Sequence, residues 1–177
     1  MLVIGLTGGI ASGKSTISNY LRELGAVIID ADELAREVVK PHSPAWREIK
    51  EHFGDEVIDR QGNIDRKRLG SIVFRSPGER ERLNGIIHPR VIEATREKIN
   101  EHKEKGEAPL LVVDAPLLLE AGMSGLVDEV WVIAVPEEVQ IERLMKRDKI
   151  SREEALARLK AQMPLEEKLR LADRVID

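Results

Sequence analysis

A chain of 177 residues, 34% charged and 42% hydrophobic, has the balance of one globular domain with a real apolar core and room for a small insert. Its net charge of −4, with both signs interspersed, argues against a nucleic-acid-binding or membrane-attracted surface. Cysteine is absent, which excludes disulfides and thiolate metal sites and makes the cytosol the expected compartment. No apolar stretch reaches membrane-spanning length, and the sequence enters its first strand with no basic leader region or cleavage site, so no targeting segment is expected.

The first element is an uncharged run, Leu2-Val3-Ile4-Gly5-Leu6, the length of one buried strand. It breaks into Gly8-Gly9-Ile10-Ala11-Ser12-Gly13-Lys14-Ser15, which fits G-x-x-x-x-G-K-[ST], and Ser15 to Leu24 then reads as an amphipathic helix. The glycines allow successive N–H groups to curl around an anion, and the helix aims its positive end at the same point. Lys14 is placed to reach the β- and γ-phosphates, and the Ser15 hydroxyl to ligate Mg²⁺. Gly8 to Ser15 therefore form the nucleotide site, for ATP or GTP.

Ala26 to Asp30 reads as a second buried strand, ending in Asp30-Ala31-Asp32 ahead of a helix from Glu33 to Val39. A carboxylate here suits the base of an in-line phosphoryl transfer. Asp32 is the choice, with Asp30 supporting it or Mg²⁺; helix capping is the alternative role for Asp32. Pro41-His42-Ser43-Pro44 marks an exit from the core, because neither proline is expected inside a helix.

Residues 45–107 show no convincing strand. Ala45 to Phe53 and Asp65 to Phe74 read as helices around a turn at Gln61-Gly62-Asn63. Ser76-Pro77-Gly78-Glu79 starts another, whose stripe runs Leu83, Ile86, Ile87, Val91, Ala94. Pro89 is expected to break it and push His88 off helical angles, which would aim the imidazole; a structural role for His88 is the alternative.

Strands return at Leu110 to Asp114 and Glu129 to Val135. Asp114 stands where a second Mg²⁺-directed carboxylate falls in nucleotide-loop proteins, or serves as a turn residue before Pro116. A helix opens at Pro136-Glu137-Glu138 and closes on Lys146-Arg147, a capping box at Ser151 to Glu154 starts one through Gln162, and Ala172 to Asp177 reads as a last strand. Arg143 and Arg147 share a helical face, followed by Lys149 and Arg152. Such a cluster suits a closing lid that neutralises a transferring phosphoryl group; a solvated charge run is the alternative. Strands alternating with helices imply a parallel sheet covered on both faces, with ligands at the carboxyl ends of its strands.

The segments GLTGGIASGKST, IDADELAR, LNGIIHPRV, DAPLLLE, RLMKRDKISREEALARLKAQMP and ADRVID, in this order, resemble the dephospho-CoA kinase family along nearly the whole chain. The resemblance implies an α/β, three-layer P-loop NTP hydrolase fold: one kinase domain with a core at 1–40 and 108–177, a helical acceptor-binding region at 41–107 and a lid near 143–162. It implies transfer of the γ-phosphoryl of ATP, with Mg²⁺, to the ribose 3′-hydroxyl of dephospho-CoA, by a monomer or small homo-oligomer. Gly8 to Thr16 match the family's ATP loop, Asp32 its base, and Arg143 and Arg147 its lid arginines. Arg36, His88, Pro89, Leu118 and Glu120 match acceptor-binding segments. Two departures stand out: Ala11 replaces a usual glycine, and the family usually continues beyond ADxVI into an adenine-contacting turn and a terminal helix, whereas the sequence given ends at Asp177. A shikimate- or nucleoside-kinase-like enzyme is the alternative, although the glycine–arginine acceptor run of shikimate kinases is missing. A GTPase would need N-K-x-D, which does not occur.

Overall fold

Leu2–Gly8 forms β1, in which every residue from Val3 onward is buried. A strand buried on both faces has no need of the alternation that marks a half-exposed one, which is why the sequence reads as a continuous apolar run. The computed structural model describes Met1–Asp177, and the chain divides into two units, residues 1–30 with 98–177 and residues 31–97.

The first unit is built on a five-stranded parallel sheet of order β2-β3-β1-β4-β5, formed by Leu2–Gly8, Val27–Asp30, Leu110–Asp114, Glu129–Ile133 and Arg174–Ile176. From β1 to β2 the chain moves one way along the sheet, and from β4 to β5 the other way. Right-handed crossovers in opposite directions place α1 (Lys14–Glu23) on one face and α6 (Glu137–Asp148), α7 (Arg152–Lys160) and α8 (Leu165–Arg170) on the other. Ile4, Leu6, Ala26, Val112 and Ile133 make the core, with Ile17 and Leu21 of α1 packed on it. Gly5 is required there: a Cβ would stand 2.8 Å from a Leu118 methyl.

The second unit is helical: α2 (Ala31–Glu37), α3 (Pro44–Phe53), α4 (Arg66–Arg75) and residues 77–97 of α5, which runs Pro77–Lys105. Its own core joins Ala45, Ile49, Phe53, Val57, Leu69 and Ile86. The only ladder-like feature between α3 and α4 is one antiparallel bridge, Ile58 to Ile64, closing the turn at Gly62. Pro44 does enter a helix, but at its first turn, where a missing N–H costs nothing; Ser43 caps it by accepting from Trp46 N at 3.2 Å.

A further sequence expectation fails. Pro89 lies inside α5 and does not break it, so His88 keeps helical geometry. An internal proline costs a helix about 3 kcal/mol. Ile86 before it and Val91 and Ile99 after it are all buried, and each such side chain contributes about 1.5–3 kcal/mol, so burial wins. Arg90 Nη1 also donates to Ile86 O at 2.8 Å, supporting the turn beside the proline.

Candidate active site

The phosphate loop joins β1 to α1. Ala11 and Gly13 both have left-handed backbone, at φ 57° and 90°. Gly13 stands at the N-cap of α1 with no side chain to cap it, so the first N–H groups of the helix are left for an anion. Gly8 admits no side chain, since a Cβ would lie 2.6 Å from Ser12 Oγ. Ser12 is buried, whereas Ser15 and Thr16 are exposed at the helix start.

Two glutamines hold the loop from outside. Gln140 Nε2, on α6, donates to Ile10 O at 2.8 Å, and Ile10 N donates to Gln162 Oε1 at 2.8 Å. Gln140 also explains Gly9, where a Cβ would fall 2.3 Å from Nε2. One turn along α6, Arg143 Nη1 donates to Ala11 O at 3.3 Å and lies 3.5 Å from where a Gly13 Cβ would be. Arg143 thus sits on the loop rim. Arg147 is engaged elsewhere: Asp148 accepts its Nε at 2.7 Å and also accepts Arg158 Nη1 at 2.6 Å. The Arg147 hydrogen bond holds the Asp148 carboxyl below the usual carboxylate range, and Arg147 is correspondingly raised. Ile10 and Ala11 pack on the buried cluster of Ile141, Leu144 and Ala155, which joins α6 to α7. The capping box is present at Ser151 with Glu154.

Lys14 Nζ donates to Asp114 Oδ1, at the end of β3, with both side chains mostly buried. Asp30 is the register partner of Asp114 on β2, so two carboxylates stand side by side at the carboxyl edge of the sheet. A polyphosphate carries more negative charge than one carboxylate and brings the loop amides with it, so it competes with Asp114 for Lys14. No three acidic or imidazole side chains group into a cage. Mg²⁺ needs none beside a nucleotide, since it keeps waters and binds one or two protein oxygens plus phosphates. The Ser15 hydroxyl with the Asp114 carboxylate is a donor set of that kind.

Beyond β3, Thr7 Oγ1 donates to Pro116 O at 3.0 Å, and so does Lys168 Nζ at 3.1 Å. Lys168 also pairs with Glu120 Oε1 at 3.1 Å. Glu120 Oε2 is buried without a partner. Leu118 is fully buried against Gly5, and so supports this segment from beneath.

In the helical unit, Asp32 lies in the first turn of α2 and is not its N-cap, since the helix opens at Ala31 directly after β2. Asp32 and Arg36 are both exposed, four residues apart and so on one helical face. His88 is half-buried in α5, and desolvation lowers its proton affinity from the ordinary 6.5. The next arginine, Arg90, reaches Glu48 of α3 at 2.5 Å.

Sequence reasoning missed Gln140, Gln162, Thr7 and Lys168. The glutamines and Thr7 carry no local signal, because their partners are more than 100 residues away. Lys168 did carry one: it interrupts the stripe Leu165, Leu169, Ala172 at helical spacing, and a cation on an apolar face needs a buried partner.

The dephospho-CoA kinase family profile matches residues 2–177. A dephospho-CoA kinase of Carboxydothermus hydrogenoformans is 54% identical over 178 residues, covering 99% of this chain and 84% of that protein. A solved structure from Thermus thermophilus superposes with a TM-score of 0.81 at 38% identity, over 98% of this chain and 86% of the other. Dephospho-CoA kinase from Campylobacter jejuni does so with a TM-score of 0.72 at 33% identity, again over 98% and 86%. The parallel sheet, the glycine loop at the end of β1 and a match that spans the helical unit as well make this a P-loop kinase fold, and the chain belongs to the dephospho-CoA kinase family.

Proposed function

We propose that this chain transfers the γ-phosphoryl group of ATP to the ribose 3′-hydroxyl of dephospho-CoA, giving coenzyme A and ADP. The observation that carries the reading is the glycine loop with Lys14 and Arg143 at its rim, in a chain matched end to end by the family. The loop amides and Lys14 bind the β- and γ-phosphates, and Arg143 meets charge that develops on the transferring group, with Arg147 joining once it leaves Asp148. Asp32 accepts the proton of the 3′-hydroxyl as its oxygen bonds to phosphorus and the bond from phosphorus to the ADP oxygen breaks. Arg36, His88, Pro89, Leu118 and Glu120 belong to the segments that bind or support the acceptor. Mg²⁺, when bound, would be held by the Ser15 hydroxyl and the Asp114 carboxylate and would supply charge neutralisation at the phosphates. The chain acts as one kinase domain, with its lid near 143–162, in the cytoplasm.

Purified protein with ATP, Mg²⁺ and dephospho-CoA is expected to yield coenzyme A, while shikimate and nucleosides go unphosphorylated. Asp32→Asn should lower kcat by about 10²–10⁴-fold and leave ATP affinity nearly unchanged. Near-normal turnover in that variant would reject Asp32 as the base.

A further inference from the structure

Lys168 is the largest fully buried side chain of the protein. Burying an ammonium costs several kcal/mol, and a well-packed apolar side chain in place of a buried ion pair is often no less stable. Its presence is therefore weak evidence of a stabilising role and calls for another. Its contacts supply one. Lys168 Nζ holds Glu120 Oε1 and Pro116 O, both at 3.1 Å, and the same Glu120 oxygen accepts Met163 N at 3.3 Å. The residue before Met163 is Gln162, whose Oε1 accepts Ile10 N of the phosphate loop at 2.8 Å. Two consecutive residues thus bind two different parts of the site, with one peptide, about 3.8 Å, between their Cα atoms. A cavity of about 440 Å³ lies beside them, lined by Gly9, Gln140, Leu159, Gln162, Met163 and Lys168. On that side the connector is not packed, so hydrogen bonds and not core contacts set its position.

We propose that the α7–α8 connector, residues 161–164, couples the phosphate loop to the Pro116–Glu120 segment, with Gln162 in the connector and Lys168 in α8 as positioning residues. A shift of the loop on nucleotide binding moves Ile10, and through Gln162 and Met163 it moves Glu120. The buried, unpartnered Glu120 Oε2 is then offered to a donor on the acceptor. This rests on the kinase reading above only in naming the acceptor; the mechanical link concerns the chain alone.

The test uses Gln162→Leu, Lys168→Met and the double variant. Lys168 does not touch the phosphate loop and Gln162 does not touch Glu120, so independent anchors would each affect one substrate. Coupling predicts crossed effects: Lys168→Met raises the KM for ATP, and Gln162→Leu raises the KM for dephospho-CoA, each by about 5–10-fold. The double variant should resemble the worse single one, not the product of the two. In ligand-free Lys168→Met, exchange of the Ile10 amide hydrogen should quicken by about tenfold. Uncrossed KM effects with unchanged Ile10 exchange would overturn the proposal. If Lys168→Met fails to fold, the charge-neutral pair Glu120→Gln with Lys168→Met takes its place, and the acceptor KM of Gln162→Leu still decides. Wild-type protein that leaves dephospho-CoA untouched would reject the kinase reading, while the exchange measurement, which needs no substrate, would still judge the connector.

Discussion

In the sheet unit, the contacts that shape the phosphate loop join distant parts of the chain: Lys14 to Asp114 across 100 residues, Ile10 to Gln140 across 130 and Ile10 to Gln162 across 152. In the helical unit they are nearer. Ser43 caps Trp46 three residues on, Trp46 Nε1 donates to Gly62 O across 16, and Arg90 reaches Glu48 across 42. Long-range pairs can form only once the whole sheet is in place, because each closes a long loop whose entropy only the assembled sheet offsets. The helical unit draws its core from one contiguous segment. The first unit therefore trades robustness for a preorganised anion cradle, and the second supplies a surface on a self-sufficient core.

The largest expected effect falls on the cradle. Lys14→Met should cut kcat by about 10²–10³-fold, the range seen when one donor to a developing anion is removed. Stability should fall as well, because the substitution leaves the mostly buried Asp114 carboxylate, in register beside Asp30, without its cation, but by less than the rate does. An unfolding curve alongside steady-state rates checks both. A large loss of stability without loss of rate would invert the contrast between the units.

The matching cut in the helical unit is Ile49→Ala. Ile49 is fully buried at the centre of that core, and truncation should cost about 2–5 kcal/mol. Urea unfolding measures the loss. Below the transition, ATP affinity should hold while the KM for dephospho-CoA rises. Equal loss of both affinities would mean that the units do not divide the work.

How much of this was legible beforehand follows the same contrast. The strands, the phosphate loop and the capped helices announce themselves through apolar runs, glycines and caps, all of which are local. Pro89 misled because the local rule was outweighed by burial on either side of it, which only tertiary packing reveals. The short α8 was missed because it has six residues and a lysine in its apolar stripe. Arg143 and Arg147 look equivalent in sequence, yet the structure gives one to the loop and the other to Asp148. No spacing rule could separate them, since the difference lies in which partners the fold brings near.

Ala11→Gly probes the cradle's strain. A left-handed alanine costs about 1–2 kcal/mol, whereas glycine adds about 0.5–1 kcal/mol of unfolded-state entropy and loses a half-buried methyl that packs on Ile141 and Leu144. The terms nearly cancel, with strain relief slightly ahead. The melting temperature should rise by no more than about 2 °C, with ATP affinity unchanged.

The smallest effect belongs to His88. Burial lowers its proton affinity in the folded chain, so the unfolded chain takes up the extra proton first as pH falls below about 6.5. Stability is then fully present above that pH and is drawn down on acidification, ending once pH passes the lowered folded value. His88→Gln keeps a polar side chain of similar reach and has no proton to gain. The variant should therefore lose less stability than the wild type between neutral pH and pH about 5, as read from parallel urea curves. Identical acid slopes would mean that His88 stays as accessible to protons in the fold as out of it, and that α5 does not shield the face on which it lies.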